Sequence, residues 1–367
     1  MSKPKVIAFY LPQFHPIPEN DEWWGKGFTE WTNVGKARPL FRGHYQPHVP
    51  ADLGYYDLRV PETRVAQAEM ARKYGVEGFV YWHYWFGNGK RLLERPFNEV
   101  LASGNPDFPF ALAWANETWK GFAHGLKNRN VLIEQQYPGD EDYIAHFYDV
   151  LPAFKDKRYI TVDDKPIFLI YKPYQLPDAA HFIDLWQKLA HENGLKGIYF
   201  IAQHQNVKDH NKSEEESLKE VLSWGFSAMN FVRLYNILVT QSFKRRFYDA
   251  LKRRIFRMPS VRSYQKAIRH FVQPLDRDEN VIPTLIPNWD HSPRSANQAL
   301  VLHNSTPELF RCHIKDVLDL IKNKSNKLVI VKSWNEWAEG NYLEPDLKWG
   351  RSHLEVLKTE LDNFKRY

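Results

Sequence analysis

"KLVIVKSWNEWAEGNYLEP", Lys327 to Pro345, joins two kinds of sequence. It begins as a short β-branched apolar run and opens at once into Asn335, Glu336 and Glu339, set among tryptophans. Such a run suits a strand buried on both faces, as in a parallel sheet covered by helices. Seven other runs share its form: "KVIAFYL" (Lys5 to Leu11), "GFVYWHYW" (Gly78 to Trp85), "PFALAWA" (Pro109 to Ala115), "PIFLIY" (Pro166 to Tyr171), "GIYFIA" (Gly197 to Ala202), "FSAMNF" (Phe226 to Phe231) and "VIPTLIPNW" (Val281 to Trp289). Segments with helical spacing separate them, among them "PETRVAQAEMARKYG", "DAAHFIDLWQKLAHENG" and "PELFRCHIKDVLDLIKN". Several end in Gly just before the next strand, as a helix C-cap feeding a parallel strand does. Eight such units predict a single α/β domain over 1–367, a (β/α)8 TIM barrel, and 367 residues suit that fold with insertions.

In a barrel of this kind the chemistry collects where the strands end. The eight runs place polar and aromatic residues there: Tyr10, Gln13 and His15 after the first; Trp82, His83 and Trp85 in the second; Trp114, Asn116 and Glu117 after the third. Tyr171 and Lys172, then Gln203 and His204, then Asn230 and Arg233 follow the fourth, fifth and sixth. Trp289, Asp290 and Arg294 follow the seventh, and Asn335, Glu336, Trp337 and Glu339 the eighth.

Two insertions interrupt the pattern. A loop from Phe14 to Tyr56 is long and rich in Trp, Pro, Gly and His, which predicts an ordered flap with Trp23, Trp24, Trp31 and Tyr45 as stacking surface. The other, 241–272, holds ten Lys or Arg against one acid, Asp249, so it carries +9 in a chain of net charge +6. Phe243, Phe247, Leu251 and Ile255 recur there at four-residue spacing, predicting an amphipathic helix with a cationic face. Its partner is either an anionic surface, of membrane or glycan, or solvent, and no nucleic-acid module accompanies it.

Thirteen Trp, 19 Tyr and 23 Phe are an unusual share for the chain, and many stand beside polar residues. Sugar rings stack on aromatic planes while their hydroxyls need Asn, Gln, His, Asp and Glu, so an oligo- or polysaccharide is the expected partner. One cysteine, Cys312, excludes a disulfide framework and suits a reducing compartment. No leader or membrane span is apparent, so a cytoplasmic protein is expected, peripheral to the membrane if the basic insertion binds there.

If the chain turns helical after Asn335, Glu336 and Glu339 stand at i and i+3 on one side, roughly 5–6 Å apart at Cβ. Glycoside cleavage needs such a pair, one carboxyl protonated and one ionised, and mutual repulsion beside Trp334 and Trp337 would split their pKa values. Acids in a helix's first turn also simply favour its dipole; the strand-end position and the flanking Asn335 favour catalysis.

"SWNEWAEGNYLEP", together with "AFYLPQFHPIPENDEWWGKGFTEWTNV", "GFVYWHYWF" and "LAWANETW", resembles glycoside hydrolase family 99 and its WbsX-like relatives of O-antigen and capsule loci, the WbsX-like branch in particular. The resemblance implies a (β/α)8 barrel with no metal or organic cofactor, and a retaining endo-α-mannosidase reaction through a 1,2-anhydro sugar. By it Glu336 is the base for the sugar 2-hydroxyl, Glu339 the acid that protonates the leaving oxygen and then activates water, and Asn335 and Trp337 orient the sugar. Tyr10 matches an active-site tyrosine. Ala338 stands where the mannosidases carry His, a departure that bears on mannoside specificity. Strand-end placement alone adds Glu117, His83, Asp290 and Arg294 as candidates for the sugar pocket. Other chemistries have weaker signals. "DED" (Asp140 to Asp142) and "DRD" (Asp276 to Asp278) match the acidic triplet of a glycosyltransferase, His44 and His48 suggest zinc without a third ligand, and a noncatalytic glycan-binding barrel needs no pair at all.

Overall fold

The computed structural model describes residues 3–121, 130–204, 212–239 and 242–364. Nine parallel segments form the central sheet: β1 (Lys5–Tyr10), β2 (Phe79–Trp85), β3 (Phe110–Trp114), β4 (Lys165–Ile170), β5 (Tyr199–His204), β6 (Ala228–Phe231), β7 (Val281–Ile282), β8 (Thr284–Leu285) and β9 (Leu328–Val331). They follow one another around the barrel in chain order, except that β9 returns to β1, with Lys5 opposite Leu328 and Ala8 opposite Val331. The seventh predicted strand is therefore two pieces. Pro283 between them has no N–H to give a ladder, so β7 pairs with β6 and β8 pairs with β9, while the Pro283 carbonyl accepts from the amide of Ile330 at 3.1 Å. Counting them as one strand gives the eight of a (β/α)8 barrel.

Helices α3 (Pro61–Lys73), α4 (Arg95–Ser103), α5 (Asp140–Phe154), α6 (Ala179–Glu192), α7 (Glu214–Ser223), α9 (Pro307–Ile321) and α10 (Ser352–Phe364) wrap the outside, and α1 (Pro18–Trp24) and α2 (Glu30–Gly35) lie in the flap. Gly75 ends α3 at φ +88°, a conformation that lets the chain turn back into β2 without the Cβ clash of other residues. Every residue of β2 and β3 is buried, as strands covered on both faces require.

The flap's aromatic residues mostly pack on one another. Trp24 stacks on Phe28 at 4.7 Å, and Trp31 donates from Nε1 to the Tyr56 carbonyl and lies 5.6 Å from the Trp337 ring. Within 241–272 the helix is shorter than the basic stretch: α8 (Phe243–Ile255), capped by Ser242, gives way to Ser260–Ser263, which pairs in parallel with Leu300–His303. Gln241 lies outside the described residues, as do the side chains of Phe243 and Arg246. Tyr264 and Phe271 of this stretch join Leu234, Ile286 and Trp289 in a second small core beside the barrel. Among the described residues no helix is long and apolar enough to cross a membrane.

Candidate active site

After β9 the chain does not enter the α-helix that the sequence suggests. Asn335 and Glu336 pair antiparallel with Asn341 and Tyr342, and the tip between them is a single 3-10 turn, Trp337–Glu339. Gly340 closes it at φ +53°, packed so closely that an added Cβ would sit 2.7 Å from the Asp290 Cβ. This hairpin holds both glutamates at the mouth of the barrel. Asn335 fixes its base by accepting from the Leu11 amide at 2.7 Å and donating to the Leu11 carbonyl at 3.0 Å. Beneath it, the Glu344 carboxylate receives Trp337 Nε1 at 2.6 Å, Gln67 Nε2 at 2.6 Å and the Tyr56 hydroxyl at 2.9 Å.

Glu336 and Glu339 line a cavity of about 270 Å³ with Gln13, Trp82, Tyr84, Glu117, Trp119, Tyr171, Tyr235, His291, Arg294 and Lys332. Their surroundings differ. Glu336 Oε1 accepts from Trp82 Nε1 at 3.1 Å, while Oε2 is buried with no donor in hydrogen-bond range among the described residues and Lys332 Nζ 3.6 Å away. Glu339 Oε1 accepts from Arg294 Nη1 at 2.6 Å, and its other oxygen lies 3.7 Å from Lys332 Nζ. Burial pushes the Glu336 carboxyl up to about 8, the negative charge of Glu339 adds to the rise, and Lys332 only partly offsets it. Burial acts on Glu339 in the same direction, but Arg294 and Lys332 outweigh it and hold that carboxyl well below the usual range. The two carboxyls titrate as one coupled pair, in which the cations around Glu339 favour its ionised form and the burial of Glu336 favours its protonated form. Burial also raises Glu117, against the pull of Lys172, and lowers His291 to about 4, so His291 is neutral there.

The predicted residues sort by the two-residue alternation of strands. Trp82 and Tyr171 face the cavity, as do Glu117 and Arg294 in the loops that follow. His83 points outward, its Nε2 2.8 Å from His146 Nε2 on α5; Trp85 donates to Asp142, also on α5, and Trp114 to the Trp85 carbonyl. Tyr10 is buried with its hydroxyl on Gln67 of α3. His15 Nδ1 lies 2.9 Å from the Pro12 carbonyl, and Asn116 clamps Lys172 through both backbone groups. Gln203 donates to Asn230, which reaches the Ile282 carbonyl and Thr284 hydroxyl inside the barrel; His204 packs beside Phe231. Trp289 and Asp290 line a separate cavity of about 60 Å³ behind the hairpin, where Asp290 holds His44 and Gln46. Asn335, Trp31 and Trp337 support the hairpin rather than line the larger cavity.

The weaker signals are taken up by packing. His44 uses one ring nitrogen toward Asp290 and the other toward the Leu40 amide. Asp142 accepts from Trp85, Asp140 from exposed His181, and Asp276 is buried against Arg233. Five of the cavity residues named above escaped the sequence reading: Tyr84, Trp119, Tyr235, His291 and Lys332. Tyr84 was recoverable from its alternation with Trp82, and Lys332 from its place four residues before Glu336; Trp119 sits in a two-residue strand paired with Val131–Ile133, and Tyr235 and His291 in loops, whose course no periodicity sets.

A family model described as "Glycosyltransferase WbsX" matches residues 6–357. Two curated relatives, both uncharacterised proteins WxcX of Xanthomonas campestris pv. campestris, are 34% identical over 361 residues in strain B100 and 35% over 366 in strain ATCC 33913. Each match covers 97% of the chain and 49% of the relative, so the chain spans about half the length of these relatives. Among solved structures, a glycoside hydrolase-like protein aligns with TM-score 0.60 at 16% identity, over 98% of this chain and 94% of that one. The GH99 endo-α-mannosidase from Bacteroides thetaiotaomicron aligns with TM-score 0.57 at 14% identity, over 98% and 97%. At these identities the likeness is one of fold, and the fold is the TIM barrel already described. The motifs around Trp31, Trp82, Asn116 and Glu336 thus sit in a chain matched along nearly all its length, and it belongs to the glycosyltransferase WbsX family.

Proposed function

We propose that this chain is a carbohydrate-active enzyme that cleaves a glycosidic bond in an oligo- or polysaccharide, with retention and without a cofactor. The observation that carries the reading is the Glu336 and Glu339 pair, two carboxyls on a single hairpin at the barrel mouth, of which Glu339 is held by Arg294 and Glu336 keeps a buried oxygen without a donor among the described residues. Aromatic walls from Trp82, Tyr84, Trp119, Tyr171 and Tyr235 suit sugar faces, and Glu117, Gln13 and His291 suit hydroxyls.

The charges decide the roles. A carboxyl held ionised by Arg294 is a poor proton donor at neutral pH, whereas Glu336 holds its proton up to about 8. Glu336 therefore donates that proton to the leaving oxygen. Glu339 takes the proton of the sugar 2-hydroxyl, whose oxygen attacks C1 as the C1 to leaving-oxygen bond breaks, giving a 1,2-anhydro sugar. Water then opens the anhydride at C1: Glu336, now ionised, takes a proton from the water, and protonated Glu339 returns one to O2. Two displacements at C1 restore the original configuration. This allocation reverses the one that the GH99 resemblance implies, in which Glu336 is the base. Ala338, where those mannosidases carry His, leaves the sugar itself open.

The family's description favours a second reading, transfer of a sugar to an acceptor. The two separate in one experiment, incubation with mannose-containing bacterial surface polysaccharides with and without UDP- or GDP-sugars. New reducing ends without nucleotide, their first-formed anomer matching the cleaved linkage by NMR, support hydrolysis. Inverted products would remove the anhydro route, and turnover only with a nucleotide sugar would establish the transferase.

A further inference from the structure

Helix α8 is built the wrong way round for a helix in water. Its one acid, Asp249, is buried and ion-paired with Arg262, and its inner side is fastened by Arg253 to Gln298 at 3.3 Å and by Asn297 to the Arg253 carbonyl at 3.4 Å. The apolar residues point away from the body instead. Phe247, Leu251 and Ile255 form one exposed stripe, 63%, 43% and 59% accessible, with Tyr248 beside it and Phe256 at its end, 66% accessible. Lys244, Arg245, Arg254 and Arg257 are exposed around the stripe, and Lys252 Nζ lies 4.6 Å over the Tyr248 ring. A surface helix ordinarily turns its apolar stripe to the core and its charges to water. Here the outward face offers large apolar side chains and positive charge together, with its only carboxylate neutralised from within.

We propose that α8 is a docking face for an anionic lipid surface. Two features of the face fit a bilayer interface and no single small ligand. Apolar side chains in a row along one helix match the depth of the acyl boundary, while lysines and arginines at their edges match phosphate headgroups. The charge is complementary to such a surface: 241–272 carries +9 while the rest of the chain carries −3, and the exposed Lys244, Arg245, Arg254 and Arg257 of that stretch lie around the apolar stripe. Its place in the fold gives docking a consequence. The segment leading into α8 leaves β6 through Tyr235, a wall of the cavity, and its inner side rests on Gln298, four residues beyond Arg294. Short stretches of chain thus link the membrane-facing helix to two residues of the cavity wall, Tyr235 and Arg294.

Co-sedimentation of the full chain with phosphatidylcholine vesicles, and with the same vesicles containing roughly one third phosphatidylglycerol, tests the assignment. Two variants accompany it, Phe247→Ser/Leu251→Ser/Ile255→Ser and Lys244→Gln/Arg254→Gln/Arg257→Gln; all six side chains are exposed, and an unchanged thermal melt confirms the fold. The expected result is pelleting with the anionic vesicles alone, with apparent affinity lowered at least roughly tenfold in each variant. Equal pelleting with both vesicle types, none with either, or pelleting that neither variant reduces would overturn the proposal. So would a concentration-dependent dimer, lost in the apolar variant, without vesicle binding, since the face then belongs to a second copy. An anionic polysaccharide that binds the wild type and the apolar variant equally, in the absence of vesicle binding, would assign the charges to glycan and overturn it as well.

Discussion

Arg294 Nη1 donates to Glu339 Oε1 at 2.6 Å, while Arg294 Nε reaches back 3.2 Å to Glu30 at the start of α2. The guanidinium is buried between a carboxylate of the hairpin and one of the flap, so the flap helps set the charge of the candidate site from outside the barrel. Charge-assisted contacts of this kind keep a carboxylate ionised.

Removing that clamp moves the acid limb of the reaction. In Arg294→Met the Glu339 carboxyl loses its main cationic partner, its pKa rises, and the pH at which activity falls on the acid side moves upward. A pH profile of kcat/KM checks this. Because buried Glu30 loses its guanidinium partner as well and keeps only the long 3.5 Å bond from Asn33, the variant should also lose about 3–5 kcal/mol of stability, read by denaturant melts.

The alkaline limb belongs to Glu336. Its proton is lost as pH rises through about 8, so cleavage should decline above that value. Glu336→Gln and Glu339→Gln should each lower kcat by roughly 10²–10⁴ on a natural glycoside. With an aryl glycoside whose leaving group needs no proton, Glu336→Gln should recover much of its rate and Glu339→Gln should not. The opposite pattern would restore the order that the resemblance to the mannosidases implies.

Stability carries the same signature with its own sign. Glu336 is protonated in the folded chain up to about 8 but ionised in the unfolded chain above about 4.5, so the folded state binds the extra proton between those values and wild-type stability falls as pH rises through that window. Glu336→Gln removes this dependence. It should be more stable than wild type at pH 8, on the order of 1–3 kcal/mol, and about equal at pH 4.5, as differential melts at the two values would show.

Gly340→Ala tests the hairpin as a positioning device. The new methyl would meet Asp290 Cβ at 2.7 Å and Asp290 N at 2.8 Å, beside the 2.7 Å bond from that amide to the Glu339 carbonyl. Moving the hairpin by even a fraction of an ångström misaligns both carboxyls, so kcat should fall by roughly a hundredfold. Leu343→Ala, a buried change beyond the hairpin, serves as the comparison: lost stability with kcat kept would separate packing from positioning.

The barrel was legible because each strand is a short apolar run with its functional residues directly after it, and "KLVIVKSWNEWAEG" shows both parts within fourteen residues. Individual sites were less so. His83, Trp85 and Trp114 look like mouth residues when only nearness to a strand end is weighed, yet β2 and β3 alternate faces and turn all three toward α5 or toward one another. Tyr84, skipped on the same count, is in the cavity. The expected helix after Asn335 fails because Gly340 takes a left-handed conformation and Asn335 and Glu336 find strand partners in Asn341 and Tyr342, contacts that no 3.6-residue period reveals. Arg294 and Glu30 are 264 residues apart, and only the folded flap makes them neighbours.

The most direct test of the single shared proton needs no substrate. Carboxyl-carbon NMR of glutamate-labelled protein, with Glu336→Gln and Glu339→Gln to assign the two signals, follows each group from pH 4 to pH 9. One carboxyl, Glu336, should titrate near 8, while Glu339 stays ionised throughout. Both groups titrating near 4.5, or the proton residing on Glu339, would contradict the account.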